Sequence, residues 1–239
     1  MKNLIRKLLK RMGILVCRYR VENSFEFTII EWLNKNNIQG LLDVGANSGQ
    51  FAATMREQGY NGMICSFEPQ SSAFKSMEKN GTADNKWQKQ NCAVGETNGR
   101  ISINISENSW SSSILEISKR HTDAAPDSRY NAKEDVEIRR LDSFDFPSNV
   151  FGDKLYLKID TQGFEEQVLN GVGNLMPRIA AVQLELSTVT LYKGAKLHRE
   201  MIDHMYSLGF ELFSLERGYC EPGSGQLLQF EVFFVKKAQ

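Results

Sequence analysis

Two short stretches carry residue types suited to a nucleotide-like ligand. Asp43-Val44-Gly45-Ala46-Asn47-Ser48-Gly49 overlaps the end of the apolar run Leu41–Val44, and Glu68-Pro69 follows a second run, Met63–Phe67. In an open α/β sheet, ligands bind outside the carboxyl ends of strands, where such junctions lie. Gly45 and Gly49 let the backbone approach a ligand closely, and a helix beginning after Gly49 offers free N–H groups to a carboxylate. A dinucleotide fingerprint, G-x-G-x-x-G, does not fit, because asparagine stands at position 47. Asp43 would repel a pyrophosphate, but it can accept from an ammonium group directly or through water. Glu68 can accept both hydroxyls of a ribose, at about the ~20-residue interval after the first motif known for such acids. Together the two motifs suit an adenosyl ligand that ends in a cationic amino-acid moiety. A third set, Asp160 with Glu165 and Glu185, falls at later strand ends and faces the same crevice.

The elements that must position these groups alternate. Phe25, Ile29, Trp32 and Leu33 form one face of a helix ending near Asn36–Asn37. Strand Leu41–Val44, a helix through Phe51 and Met55 closed at Gly59, strand Met63–Phe67 and a helix through Phe74 and Met77 follow. This is the pattern of a parallel sheet covered on both faces. After Gln88–Val94 it lapses: Arg100–Ser106 and Val136–Phe144 read as extra strands around the polar stretch 107–135, a candidate lid or substrate loop. It resumes with strand Leu155–Ile159, helix Glu165–Asn170, strand Ala181–Leu186 and helix Leu197–Leu208, with Met201 and Met205 facing inward. Glu211–Leu215 and Leu227–Val235 close the chain as an antiparallel hairpin around Gly218–Gly225.

The 239 residues are 41% apolar and carry 29 basic and 29 acidic side chains, so no overall field draws the chain to nucleic acid. No apolar run reaches the ~18 residues of a spanning helix. Cys17, Cys65, Cys92 and Cys220 form no close pair, and with three histidines they suggest neither a disulfide framework nor a zinc site, which fits a reducing cytoplasm. Lys2, Arg6, Lys7, Lys10, Arg11, Arg18 and Arg20 all precede the first acid, Glu22. Leu4, Leu8 and Met12 recur at helical spacing beside them, so residues 1–20 read either as a basic helix docked on the acidic body or as a peripheral contact with the inner, anionic membrane surface. On this reading residues 1–37 are a basic helical extension and 38–239 the catalytic domain.

The order of the motifs resembles the S-adenosylmethionine-dependent methyltransferases of the Rossmann-like class, and from about Ile38 to Lys236 the chain resembles the FkbM family. The matching blocks are Leu42–Gly49, Phe67-Glu68-Pro69 and Leu157-Lys158-Ile159-Asp160-Thr161-Gln162-Gly163-Phe164-Glu165. Gln183–Leu186, Leu191-Tyr192, Leu208-Gly209-Phe210 and Leu228-Gln229 follow in the same order. Many members carry glutamate where Gln162 stands. The resemblance implies an α/β class I methyltransferase fold with a mostly parallel seven-stranded sheet. It also implies Asp43, Gly45, Ala46, Asn47, Gly49, Glu68, Pro69, Ala93 and Asp160 as cofactor-binding residues, and methyl transfer to a hydroxyl of a sugar, glycolipid or natural product.

Asp160, Glu185 and His198 are the candidate catalytic residues. Asp160 and Glu185 flank the place where an attacking hydroxyl must lose its proton, a step that a carboxylate can take over. The same oxygens could instead hold a magnesium ion, or Asp160 could cap the next helix with Glu165 supporting its first turn. His198 could reach the crevice mouth, while His204 reads as a surface residue, and Trp110 with Ser111–Ser113 could contact a sugar ring. A nicotinamide oxidoreductase and a non-catalytic cofactor-binding module remain alternatives on such a fold.

Overall fold

The computed structural model describes residues 7, 9–12, 24–81 and 83–237. Most of the basic stretch 1–20, and with it the proposed membrane contact, lies outside the described residues. The elements in chain order are α1 (Phe25–Lys35), β1 (Gly40–Val44), α2 (Gln50–Glu57), β2 (Met63–Phe67), α3 (Ser71–Asn80), β3 (Trp87–Gln90), β4 (Ala93–Val94) and β5 (Gly99–Ser106). They continue as α4 (Lys119–Ala124), β6 (Tyr130–Arg139), α5 (Ser148–Phe151), β7 (Leu155–Ile159), α6 (Glu165–Asn170), β8 (Ile179–Ser187), α7 (His198–Ser207), β9 (Phe210–Arg217) and β10 (Gln229–Lys236). Seven strands form one sheet in the order β3-β2-β1-β7-β8-β10-β9, parallel except for β10, which runs antiparallel to both β8 and β9. A smaller sheet, β4-β6-β5, lies beside it. Among the described residues no helix is long and apolar enough to cross a membrane.

Period-two alternation splits the large sheet's side chains between two cores. Leu41, Ile64, Tyr156, Ala181 and Phe233 face one layer with α1, α2 and α3, while Leu42, Cys65, Leu157, Val182 and Phe234 face the other with α6 and α7. The strands are buried on both faces, which is why β1 reads as an unbroken apolar run with a single acid in it.

Two expectations need correction. The first is the boundary at residue 37. Phe25, Ile29, Ile30 and Leu33 of α1 are buried in the same cluster as Leu41, Ile64 and Tyr156, and Trp32 meets Phe233 edge-on with ring centroids 5.6 Å apart. Helix α1 therefore belongs to the core of the catalytic domain. The second is the second inserted strand, which begins at Tyr130 rather than Val136 and stops at Arg139, before a 3₁₀ turn at Leu141–Ser143. Residues 130–135, read as loop, pair with β5 (Ser102 with Asp135, Ile103 with Glu134). Most of this half of β6 is exposed, so it has no apolar alternation by which to be recognised.

Leu33 lies fully inside this core. Leu33→Ala is expected to cost about 2–5 kcal/mol in chemical denaturation of the whole domain. An unchanged midpoint would mark α1 as an appendage.

Candidate active site

Strands β2, β1 and β7 end level with one another: Val44 pairs with Phe67 on one side and Ile159 on the other. The loops that carry Gly45, Glu68 and Asp160 consequently leave the sheet side by side. The Gly45 and Ala46 N–H groups both donate to the Phe67 carbonyl at 3.0 Å, and the Asp160 N–H donates to Val44 O at 3.0 Å. Gly45 has φ +81°, and a Cβ there would sit 1.9 Å from the Asp160 carbonyl oxygen. Glycine is required at 45 because two strand ends are drawn together, independent of any ligand. Gly49, at φ +86°, is the N-cap of α2, where a Cβ would strike the Trp87 ring at 2.6 Å. It packs rather than lining the cavity.

A cavity of about 790 Å³ opens over these strand ends. At one end Glu68, 3% exposed, accepts the Asn47 N–H at 2.7 Å and the Gln70 N–H at 2.8 Å, one on each carboxylate oxygen. Burial pushes its pKa up to about 7; the two N–H groups oppose that rise, and Asp43 and Asp160 add to it. Gly45, Ala46, Asn47, Pro69 and Ala93 line the same end.

Asp43 occupies a different place from the one its sequence position suggests. It is fully buried beneath the cavity, accepts the Ser66 hydroxyl at 2.9 Å, and lies 4.0 Å from Lys158 Nζ; Ser66 in turn accepts the Trp87 indole N–H at 2.9 Å. Register explains this, since Asp43 is the direct neighbour of Ser66 on β2 and Lys158 on β7. The carboxylate braces the sheet from beneath the cavity, with Oδ1 lacking a hydrogen-bond partner among the described residues.

Lys158 is the residue sequence reading passed over. Its Nζ lies 3.1 Å from Asp160 Oδ2 and 5.2 Å from the centroid of the Phe51 ring. Burial works against its charge, yet Asp160, Asp43 and Glu231 together outweigh that and hold its pKa above the ordinary lysine value. A lysine inside the apolar run Leu155–Ile159 was the readable signal.

Asp160 and Glu185 do converge. The Gln162 amide donates to Asp160 Oδ1 at 2.7 Å and to Glu185 Oε2 at 3.0 Å, and the Tyr192 hydroxyl donates to Gln162 Oε1 at 2.8 Å, fixing the amide's orientation. Glu185 also accepts the Gln229 amide at 2.6 Å. Burial, then Asp160 and Glu231, drive the Glu185 pKa well above the carboxylate range. Glutamate at 162 would set a third acid between these two; the neutral amide instead links them. The helix-support role falls to Glu165, whose Oε1 accepts the N–H groups of Thr161 and Gly163.

His198 does not line the cavity; it begins α7 and faces the Phe230 ring, with centroids 5.9 Å apart. A magnesium site does not fit either. Among the described residues no three His, Cys, Asp or Glu side chains converge as ligands, and Lys158 already occupies the cationic position beside Asp160. The segment read as a lid forms a cavity wall through Asn108–Ser113, His121 and Asp127, tied down where the Ser113 hydroxyl donates to the Gln162 carbonyl at 2.8 Å. Trp110 stands at the rim, 67% exposed.

A family model described as the methyltransferase FkbM domain matches residues 43–212. The chain belongs to the FkbM methyltransferase family. It is 25% identical over 178 residues to the 2-O-methyltransferase NoeI of Sinorhizobium fredii (strain NBRC 101917 / NGR234), an alignment covering 72% of either chain. Among solved structures, an uncharacterised protein from Listeria monocytogenes serotype 4b superimposes with a TM-score of 0.50 at 7% identity, over 94% of this chain and 70% of that one. The magnesium protoporphyrin IX methyltransferase of Synechocystis PCC 6803 gives a TM-score of 0.49 at 8% identity, over 99% and 97%. The nicotinamide oxidoreductase reading is set aside by the family.

This FkbM protein is an S-adenosylmethionine-dependent methyltransferase, and the Glu68 end of its cavity fits that cofactor. A buried carboxylate with spare lone pairs sits beside the apolar surfaces of Phe67, Pro69, Cys92 and Ala93. Because Glu68's folded-state pKa lies above the ordinary 4.5, it favours the folded apoprotein below that pH and withdraws support as pH rises through about 7. The cofactor should follow the opposite trend, since ribose hydroxyls donate to the ionised form. S-adenosylhomocysteine is expected to bind about tenfold more weakly at pH 6 than at pH 8 in titration calorimetry. Glu68→Gln should flatten that dependence.

Proposed function

We propose that this enzyme methylates a hydroxyl oxygen of a sugar, glycolipid or natural product. The observation that carries the reading is the Asp160–Gln162–Glu185 bridge, which lines the same cavity as Glu68. The 2-O-methyltransferase activity of the Sinorhizobium relative supports the choice of oxygen.

Bound S-adenosylmethionine would supply an electrophilic methyl group on a sulfonium centre. Gly45, Ala46, Asn47, Glu68, Pro69 and Ala93 would hold it, with Asp160 at the boundary between cofactor and acceptor. The chain's own work is on the acceptor. A hydroxyl must be brought into line and must give up its proton as its oxygen becomes bonded to carbon. Glu185, on the cavity wall, takes that proton in its ionised form, which burial confines to higher pH. Asp160, 3.1 Å from Lys158 Nζ, orients the hydroxyl. Proton acceptance of this kind contributes roughly 10²–10⁴-fold, and alignment can contribute more. Tyr192 holds the Gln162 amide, so the two carboxylates keep a fixed spacing.

Asp160→Asn and Glu185→Gln should each bind S-adenosylhomocysteine nearly as the unaltered protein does, while turnover falls about 10²-fold. Labelled methyl transfer to a panel of sugars and glycolipids, paired with calorimetry, checks this. Wild-type turnover in both variants would remove the carboxylates from the chemistry.

A further inference from the structure

Among the exposed large apolar side chains that the structure describes, Trp110 is the one on the cavity wall. Its indole has no hydrogen bond, ion pair or ring contact among the described residues. The other two tryptophans are engaged: Trp32 meets Phe233 edge-on, and the Trp87 indole N–H donates to Ser66. A single exposed apolar residue is ordinary on a protein surface. The way Trp110 is mounted is not.

The turn that carries it is fastened to both sides of the site. Ser109 stands in the left-handed region at φ +58°, and the side-chain amides of Asn47 and Gln70 converge on its carbonyl at 3.4 and 3.1 Å. The Ser112 hydroxyl donates to Gln70 Oε1 at 3.2 Å, and the Gln70 N–H is one of the two held by Glu68. On the other side the Ser113 hydroxyl grips the Gln162 carbonyl, and the Tyr192 hydroxyl lies 3.2 Å from the Ser111 carbonyl. Within the turn the Ser111 N–H donates to Asn108 Oδ1 at 3.0 Å. Trp110 is thus suspended between a residue tied to the Asn47–Glu68 side and a residue tied to the Asp160–Gln162–Glu185 bridge. A left-handed serine is strained backbone, which persists where the surroundings over-determine it and clusters at ligand clamps. A side chain locked in place beforehand also loses little freedom when a ligand arrives.

Building on the hydroxyl chemistry above, we propose that Trp110 is the platform on which the acceptor's ring lies, and that the acceptor is a pyranoside stacked by its C–H face on the indole. A pyranose has an apolar face and a rim of hydroxyls. The indole covers the face with large, rigid apolar area, and Asp160, Gln162 and Glu185 meet the rim. A bare acyl chain would leave those polar groups unpaired. The adenine of the cofactor has its own apolar wall in Phe67, Cys92 and Ala93, all buried, which leaves the solvent-facing indole to the acceptor.

The test follows tryptophan fluorescence and calorimetry of the full-length protein with S-adenosylhomocysteine present. The probes are methyl β-glucoside, methyl β-galactoside and methyl β-N-acetylglucosaminide, with sorbitol as a polyol that has hydroxyls but no ring face. At least one pyranoside is expected to shift the emission to shorter wavelength, an effect absent with sorbitol, with S-adenosylhomocysteine alone and in Trp110→Phe. Trp110→Ala should weaken that pyranoside about tenfold and Trp110→Phe about threefold, while S-adenosylhomocysteine affinity holds in both. Binding of no pyranoside, an equal response to sorbitol, unchanged affinity in Trp110→Ala, or a Trp110-dependent shift with S-adenosylhomocysteine alone would overturn the proposal. Stacking of a pyranoside that receives no labelled methyl group would support the platform while counting against the hydroxyl chemistry.

Discussion

The buried ammonium of Lys158 makes the rest of this site possible. Carboxylates placed out of water beside one another repel and lose hydration, and both effects favour their neutral forms. Lys158 stands between Asp43 below and Asp160 above, in register with the first and two residues from the second on the same strand face. Its own burial would discharge it, but the acids around it hold it charged. Lys158 therefore depends on the acids for its charge, and Lys158 in turn opposes the neutralisation of buried Asp43. Removal of the lysine would leave Asp43 in the core with the Ser66 hydroxyl as its remaining partner.

That charge cluster can exist because the strand ends are level. Parallel register brings Val44, Phe67 and Ile159 to the same height, and the turns beyond them are packed so tightly that Gly45 has no room for a Cβ against the Asp160 carbonyl. The proposed cofactor and acceptor functions then separate along the sheet edge. Glu68 on the β2 side is fixed by backbone N–H groups, whereas Asp160 and Glu185 on the β7–β8 side are fixed by the Gln162 amide. Helix α1 completes the enclosure: Phe25, Glu26 and Ile29 reach the cavity while their helix packs into the core.

The division between what was legible and what was not follows the range of the interactions. The core strands and helices were readable because each is set by local periodicity and its own stop signals. Leu155–Ile159 and Glu165–Asn170 have the bounds the pattern indicates, and Met201 and Met205 are the buried face of their helix. The strand β6 was misplaced where its side chains face water and no burial pattern marks it. That the loop after β1, Glu68, Asp160 and Glu185 share one cavity was legible because strand-end position in an α/β sheet already implies a shared crevice.

Asp43, His198, Lys158 and Gln162 mark the limit. The chain by itself determined which residues end strands and which helices have an apolar face, since these depend on neighbours a few positions away. Whether an acid at a strand end faces ligand or core depends on what stands beside it on the next strand, and for Asp43 that is Ser66 and Lys158, 23 and 115 positions away. The same long-range pairing set Glu231 between Glu185 and Glu216, and put the Gln162 amide between two carboxylates. Such relations are distances in space between residues far apart in sequence, and only the assembled sheet decides them.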